Sequence, residues 1–159
     1  MSGPFGSSLK SSDYTEHGIP LIRISDLESF SINRSNLVFI SESSHRRIIG
    51  SELRHGDLVL SKVGNSIGIV SILDSDFSKA NISENNIGIR FHPGASLALK
   101  HFLLAYLNCH FGQREILRRR SGNAQPKLNI NDVYGLELPM ASEALQEEVS
   151  EIIQDSQGS

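Results

Sequence analysis

The sequence has a single cysteine, no tryptophan and no long hydrophobic run. Because Cys109 has no second cysteine to pair with, the chain cannot be a small domain held together by internal disulfides. No apolar segment approaches the ~18–20 residues that a membrane-spanning helix needs. The polar beginning of the chain also lacks the apolar core of a signal peptide. We therefore expect a soluble, cytoplasmic protein without a membrane partner.

The chain also lacks an excess of positive charge. Its 15 Lys and Arg residues are outnumbered by 18 Asp and Glu residues, which gives a formal net charge of -3. This balance disfavours a protein that coats DNA without sequence preference, and it disfavours a polybasic membrane anchor. With 159 residues, of which 38% are hydrophobic, the chain can form one globular domain with a real core. Any basic surface must therefore be local.

Catalytic motifs are missing as well. The sequence has no glycine-rich phosphate loop, no dinucleotide-binding glycine motif, no zincin motif and no nucleophile elbow. Its six histidines never fall at the spacing of metal ligands. Asp57, Asp74 and Asp76 leave a metal-dependent nuclease as a remote alternative, but they do not form a coherent set of metal ligands. We therefore predict a protein that is not an enzyme and that binds no metal.

The first ninety residues have the composition of short β-strands. Runs rich in Ile, Leu and Val predict strands at 19–24, 37–40 and 86–91. The clearest signal is a pair of apolar runs within 56–73, separated by Gly64-Asn65-Ser66. This composition is typical of a hairpin whose turn needs a positive φ.

After residue 93 the apolar period changes from two to about 3.6, which is typical of amphipathic helices. Ser96 is the expected N-cap of a first helix, and a second helix should run from 111 to 120 and end at Gly122. A short strand is predicted at 134–138. A last helix begins at Ser142 and is cut off near the end of the chain, so we expect it to be the start of a longer connecting helix. The fold class is therefore α/β of the α+β type, with strands first and a helical hairpin after them.

Side chains suited to a polar polymer are concentrated in the predicted turns. Arg, Lys, Asn, Gln and Ser are the residues that read base edges and hold phosphates in DNA complexes. Each group also has an ordinary structural explanation: Gly-Asn-Ser is a common turn, paired arginines are often only solvated, and arginines in a last helical turn complement the helix dipole. The candidate DNA-binding residues are Arg23, Ser25, Arg46, Arg47, Lys62, Asn65, Ser66, Arg118, Arg119, Arg120, Gln125 and Lys127.

The order and spacing of several segments resemble the target recognition domain of type I restriction-modification specificity subunits. These segments are GDLVLSKVGNSIGIVSIL, ANISENNIGIRFHP, HFLLAYLNC and RRRSGNAQPKLNINDVYGLELPMASEALQEEVSEII. The family pattern includes a G-D hairpin, S-G-x-x-Q-x-x-L-N, and L-x-L-P before a long helix. The resemblance covers about residues 9–153. One departure is that the second proline of the family's usual Pro-Pro is Met140 here.

The resemblance implies a recognition domain over residues 1–141, with a β-rich part like a double-stranded β-helix. Residues 142–159 would then be the first part of a connecting helix. Such a domain is non-catalytic and reads one half of a bipartite DNA target for adenine methylation. Its implied partners are double-stranded DNA, a DNA methyltransferase subunit and a motor or restriction subunit, in a prokaryotic cytoplasm. Those subunits would bind S-adenosylmethionine and ATP, so the chain itself needs no cofactor. Its parent is a two-domain subunit, a half-size subunit that dimerises, or a single-chain enzyme.

We expect the loops to read bases and the residues after the second helix to hold the DNA backbone. The residues assigned to bases are Arg23, Ser25, Lys62, Asn65 and Ser66, and those assigned to the backbone are Arg118, Arg119, Arg120, Gln125 and Lys127. An alternative is a protein-interaction module, in which the last helix docks a methyltransferase or a second copy of the chain. Its predicted docking face consists of Leu145, Val149, Ile152 and Ile153.

Overall fold

The computed structural model describes residues 1–4, 8–122 and 124–158. Strands occupy the first part of the chain and most of the helical residues lie in the second part, which confirms the α+β class. The strands are β1 Tyr14–Thr15, β2 Ile19–Ile22, β3 Val38–Ile40, β4 Glu52–Leu53, β5 Leu58–Ser61, β6 Val70–Ile72, β7 Ala80–Ile82 and β8 Asn86–Ile89. The helices are α1 Glu42–Arg47, α2 Leu97–Asn108, α3 His110–Arg119, α4 Ile130–Tyr134 and α5 Glu143–Gln157.

The strands form two sheets of unequal size. The larger sheet has the order β1-β3-β2-β7-β4, and the smaller has the order β6-β5-β8. The smaller sheet is antiparallel, whereas β2 and β7 form a parallel pair in the larger one. The β-rich part is therefore less regular than a double-stranded β-helix, whose two sheets are antiparallel and similar in size.

The predicted hairpin is confirmed by β5 and β6, which pair antiparallel with Leu58 opposite Ile72. Its connection contains one turn of 3-10 helix at Gly64–Ser66, and the backbone takes a positive φ at Gly64 (63°) and at Gly68 (98°). Every residue of β5 and β6 is buried. Burial on both faces explains why these strands read as nearly continuous apolar runs rather than as an alternating pattern.

The predicted helix starts are also confirmed. Ser96 Oγ accepts a hydrogen bond from the backbone N–H of Leu99 (3.0 Å), and Ser142 caps α5 in the same way. The chain turns between α2 and α3 with no intervening loop. A Cβ at Gly112 would lie 2.0 Å from the carbonyl oxygen of Tyr106, so this tight corner requires glycine.

Two details of the helical part differ from the sequence prediction. Helix α3 ends at Arg119 through an extended residue, and Gly122 (φ 88°) serves a separate turn rather than the helix cap. The prediction of a strand at 134–138 was wrong, because residues 130–134 are helical and no strand follows within residues 135–158. Asn129 and Asp132 cap α4 reciprocally, and this local signal outweighs the short alternation of apolar residues after it.

The apolar core has two main parts, which lie on opposite faces of β5. Leu58 and Leu60 pack in a cluster with Leu104 and Ile116 from the helices. Val59, between them, packs in a second cluster with residues of the larger sheet. The alternation of side chains along a strand produces this division. Among the described residues, no helix has the length and apolar character needed to cross a membrane.

Candidate nucleic-acid interface

Two loops from distant parts of the sequence lie side by side and share backbone hydrogen bonds. One is residues 62–66, within the β5–β6 connection, and the other is residues 121–128, which follow α3. The N–H of Leu128 donates to the carbonyl of Lys62 (2.8 Å), and the N–H of Gly64 donates to the carbonyl of Pro126 (3.1 Å). Between these bonds, Val63 and Lys127 form a β-bridge. The structure thus joins two segments that the sequence analysis selected separately, and we call them the paired loops.

Hydrogen bonds from β5 and from α3 fix the backbone of the first of the paired loops. Ser61 Oγ donates to the carbonyl of Ser66 and accepts from the N–H of Ile69 (3.0 Å). Gln113 of α3 donates to the carbonyl of Gly68 (2.8 Å). The Ser61 bonds tie the loop to β5 and the Gln113 bond ties it to α3, while Asn65 remains exposed and Ser66 half-exposed. An exposed amide on a fixed backbone suits recognition of a polar ligand, because little freedom is lost on binding.

The second of the paired loops closes on itself. Ser121 and Lys127 exchange two backbone hydrogen bonds of 3.0 and 2.9 Å. Gly122 turns the chain with a positive φ, and a Cβ there would lie 2.7 Å from the carbonyl oxygen of Gln125. Gln125 and Lys127 are exposed on this loop, while Asn123 lies outside the described residues. The segment after α3 is therefore a small presented loop rather than a continuation of the helix.

Lys62 and Lys127 line the same open groove, which has a volume of about 430 Å³. Partial burial lowers the pKa of Lys62; nearby Glu84 opposes this shift and the charge of Lys127 adds to it. Within the described part of the chain, neither lysine forms an ion pair with a carboxylate. The groove therefore carries a local positive charge even though the whole chain is acidic.

Arg118 and Arg119, by contrast, are engaged inside the protein. Both contact the carboxylate of Glu115, which is buried, and both also lie near the carboxylate of Glu137 (3.3 and 3.5 Å). The hydrogen bond from Arg118 is the main reason why the pKa of Glu115 falls to about 2. Arg120 is exposed and makes no ion pair with any described residue. DNA contact by these three arginines stays a prediction.

The remaining candidates lie away from the groove. Arg23 makes a two-pronged contact with Asp26 (3.1 and 3.2 Å) and donates to the carbonyl of Asn36 (2.7 Å), which stabilises the turn after β2. Ser25 is exposed in that turn. On α1, Arg47 pairs with Asp13 (3.2 Å), and Arg46 is exposed with a distant pair to Glu42 (3.9 Å). The structure thus does not bring these four residues into the groove lining.

The groove also contains residues that the sequence analysis did not select. Asn129 and Asn131 lie in its lining. The side-chain oxygen of Asn129 accepts from the N–H of Asp132 (3.0 Å) at the start of α4. The capping pattern N-x-x-D was a local signal for this position, but it indicates a helix start and not a binding residue.

The carboxylates considered for a metal site are bound by arginines. Arg90 contacts Asp57 at 2.7 Å, and Arg34 contacts Asp74 (2.6 Å) and Asp76 (2.8 Å). In residues 1–4, 8–122 and 124–158, no three His, Cys, Asp or Glu side chains are grouped so that they could hold a metal ion.

No family model and no curated protein matches this chain. One solved structure with a similar fold comes from work described as "Structural basis underlying complex assembly and conformational transition of the type I R-M system". The likeness has a TM-score of 0.67 and 17% sequence identity, and it covers 99% of this chain and 35% of the other. At this identity the match establishes a related fold, and the present chain spans about a third of the length of that neighbour.

Proposed function

We propose that this chain is a non-catalytic, sequence-specific DNA-binding module of a type I restriction-modification system. In this role it recognises one half of a bipartite target and positions an adenine methyltransferase there. The observation that carries the proposal is the pair of joined loops, which carry the exposed amides of Asn65 and Gln125 and whose lysines, Lys62 and Lys127, line one groove. The fold shared with a structure described as part of the type I R-M system supports it.

The paired loops offer both kinds of contact that DNA recognition needs. Lysines hold phosphates and so position a protein on the duplex, whereas exposed amides can bond two atoms of a base edge, as Asn and Gln do with adenine. Under this proposal Lys62 and Lys127 supply the first kind, and the exposed amides of Asn65 and Gln125 supply the second. This revises two expectations from the sequence, which assigned Lys62 to bases and Gln125 to the DNA backbone. A local basic groove explains how a chain with a net charge of -3 can bind DNA at a defined place.

The chemistry of such a system lies in other subunits under this proposal. A methyltransferase subunit binds S-adenosylmethionine, and a motor or restriction subunit uses ATP. The present chain recognises the target sequence on DNA and contributes no reacting group.

Salt-dependent binding to short duplexes tests the proposal. Fluorescence anisotropy should show that affinity falls as salt rises. Lys127→Ala should weaken binding about equally on every duplex and lower the slope of log K against log salt by about one. Lys79→Ala is the matched control, because Lys79 pairs with Glu42 (3.2 Å) away from the groove. A wild-type chain that shows no salt-dependent affinity for any duplex would contradict the proposal.

A second candidate function is docking of a partner through α5. This helix carries Glu143, Glu147, Glu148, Glu151 and Asp155 and no basic residue. Leu145 and Ile152 are exposed (44% and 63%), whereas Ile153 is buried and therefore cannot belong to the docking face. An apolar stripe flanked by carboxylates suits a partner helix with basic residues beside an apolar seam.

Light scattering coupled to size-exclusion chromatography tests self-association through α5. Ile152→Glu should abolish any self-association while leaving duplex affinity unchanged. Ile49→Glu is the control, because Ile49 is also exposed (54%) but lies in another part of the fold. A chain that stays monomeric at all concentrations would exclude a second copy as the partner.

A further inference from the structure

We propose that Lys62 and Lys127 form one phosphate-binding subsite, in which a single backbone phosphate of bound nucleic acid is held by both lysines at once. This inference rests on the proposed DNA-binding function and specifies one contact within it. Its basis is that both lysines line one groove and are joined through backbone pairing.

Backbone pairing between the two loops brings the positions of the two lysines close together. Val63 pairs with Lys127, and Leu128 donates to the carbonyl of Lys62 (2.8 Å), so the two lysines lie on adjacent strands of one small ladder. Lys62 lies opposite Leu128 and Lys127 lies opposite Val63, so the two lysines are diagonal neighbours in this ladder rather than a directly facing pair. Both nevertheless line the same groove and the charge of Lys127 acts on Lys62, although 64 other residues separate them in the sequence.

The charges in the groove are not balanced by the protein. Lys62 is half-buried, and the positive charge of Lys127 disfavours its ammonium form in addition to the effect of burial. Glu84 is close enough to oppose this effect but forms no ion pair with Lys62 within the described residues. Two cations held together with little compensation are unfavourable for the free protein, and such arrangements are concentrated at functional sites. An anion between them removes the repulsion.

The rest of the lining fits a phosphate better than a base. Asn129 uses its side-chain oxygen to cap α4, which leaves its NH₂ group without a protein partner in the described part of the chain. Asn131 also lines the groove, and its amide can donate in the same way. Among the described residues, the lining contains no aromatic ring on which a base could stack. Two ammonium groups and amide donors match the several acceptor oxygens of a phosphate.

Sharing one phosphate predicts that the two lysines are not additive. If either lysine is removed, the phosphate is no longer held in the subsite. Removing the second lysine then weakens duplex binding only a little further. We expect Lys62→Met and Lys127→Met each to weaken duplex binding about tenfold, the scale of one charge-assisted hydrogen bond. The double variant should be only slightly weaker than either single variant. The salt slope should fall by about one in all three, because one phosphate contact is lost in each.

The first experiment is a double-mutant cycle by fluorescence anisotropy over a range of KCl concentrations, with Lys79→Met as the control. Circular dichroism of each variant verifies that it is folded. If the losses of binding free energy in the two single variants add up in the double variant, and its salt slope is lower by about two, the lysines hold separate phosphates. That result would overturn the shared subsite.

The second experiment titrates the wild-type chain with inorganic phosphate and follows the lysine side-chain signals by NMR. The signals of Lys62 and Lys127 should shift together and saturate together, while the signal of Lys79 should not move. If the chain binds duplexes but these two signals stay still and the variants bind normally, the subsite is refuted while the proposed function stands. If phosphate shifts both signals but no duplex binds, the anion site stands and the DNA-binding function is refuted.

Discussion

Replacing Glu115 by Gln removes the carboxylate that ties the end of α3 to the segment around residue 137. In the native chain Glu115 accepts hydrogen bonds from Arg118, from Arg119 (3.2 Å) and from the backbone N–H of Glu137 (2.9 Å). Glutamine has nearly the same shape but no charge, and its NH₂ group faces donors where the second oxygen had accepted. The substitution therefore tests the electrostatic contribution with little change in packing.

The size of the effect follows from the number and the exposure of these bonds. A hydrogen bond to a charged group contributes about 1.5–3 kcal/mol when it is buried. Arg118 is about half exposed and Arg119 about a quarter exposed (53% and 26%), so solvent screens part of this energy. We expect a loss of about 2 kcal/mol in the free energy of unfolding, which for a chain of this length is a decrease in Tm of about 4–8 °C.

The pKa of Glu115 determines how the stability difference between wild type and variant changes with pH. The pKa of Glu115 falls from its ordinary value of 4.5 to about 2, chiefly because of Arg118. A carboxylate with a depressed pKa stabilises the fold fully above the unfolded value, and this stabilisation is lost as the pH falls from 4.5 toward 2. The difference between wild type and Glu115→Gln should therefore be full near neutral pH and should shrink steadily below about pH 4.5.

Urea unfolding followed by circular dichroism, at neutral pH and at several acidic pH values, measures this difference. A variant as stable as wild type at neutral pH would refute the stabilising role of Glu115. If the variant has the same loss in free energy of unfolding at all pH values, lost packing and not lost charge is the cause.

Three further predictions concern stability, and thermal melting tests each. Lys62→Met should raise Tm, because it removes a half-buried cation that Lys127 repels; a lower Tm would contradict this. Gly68→Ala should cost about 1–3 kcal/mol, since the new Cβ would lie 2.8 Å from Gln113. The control is Gly94→Ala, which has a similar positive φ but no atom within 4 Å, so equal losses would show that crowding is unimportant. Ser96→Ala should cost about 1 kcal/mol by removing the N-cap of α2, and an unchanged Tm would contradict that role.

The parts of the fold that local signals specify were predictable. The hairpin of β5 and β6 follows from two apolar runs around Gly64-Asn65-Ser66, and the starts of α2 and α5 follow from Ser96 and Ser142. In each case neighbours in the sequence determine the backbone. The short alternating run at 134–138 misled because alternation over five residues is too short to specify a strand, and here Tyr134 ends α4 and Gly135 is its C-cap.

The arrangement of the candidate site was only partly predictable. Lys62, Asn65, Gln125 and Lys127 were selected by residue type, but their meeting depends on the bridge between Val63 and Lys127, which no local pattern encodes. The engagement of Arg118 and Arg119 by Glu115 was missed for a different reason. A glutamate one turn before two arginines is an ordinary surface pattern, and only the packing of α3 reveals that this one is buried.

The most direct test of the proposed function is selection of duplexes by this chain from a pool of random sequences. We predict enrichment of one short sequence motif. Asn65→Ala should change that motif, whereas Lys127→Ala should retain it at lower affinity. A bound pool with the same base composition as the input, from a chain that nevertheless binds duplex DNA, would contradict sequence-specific recognition.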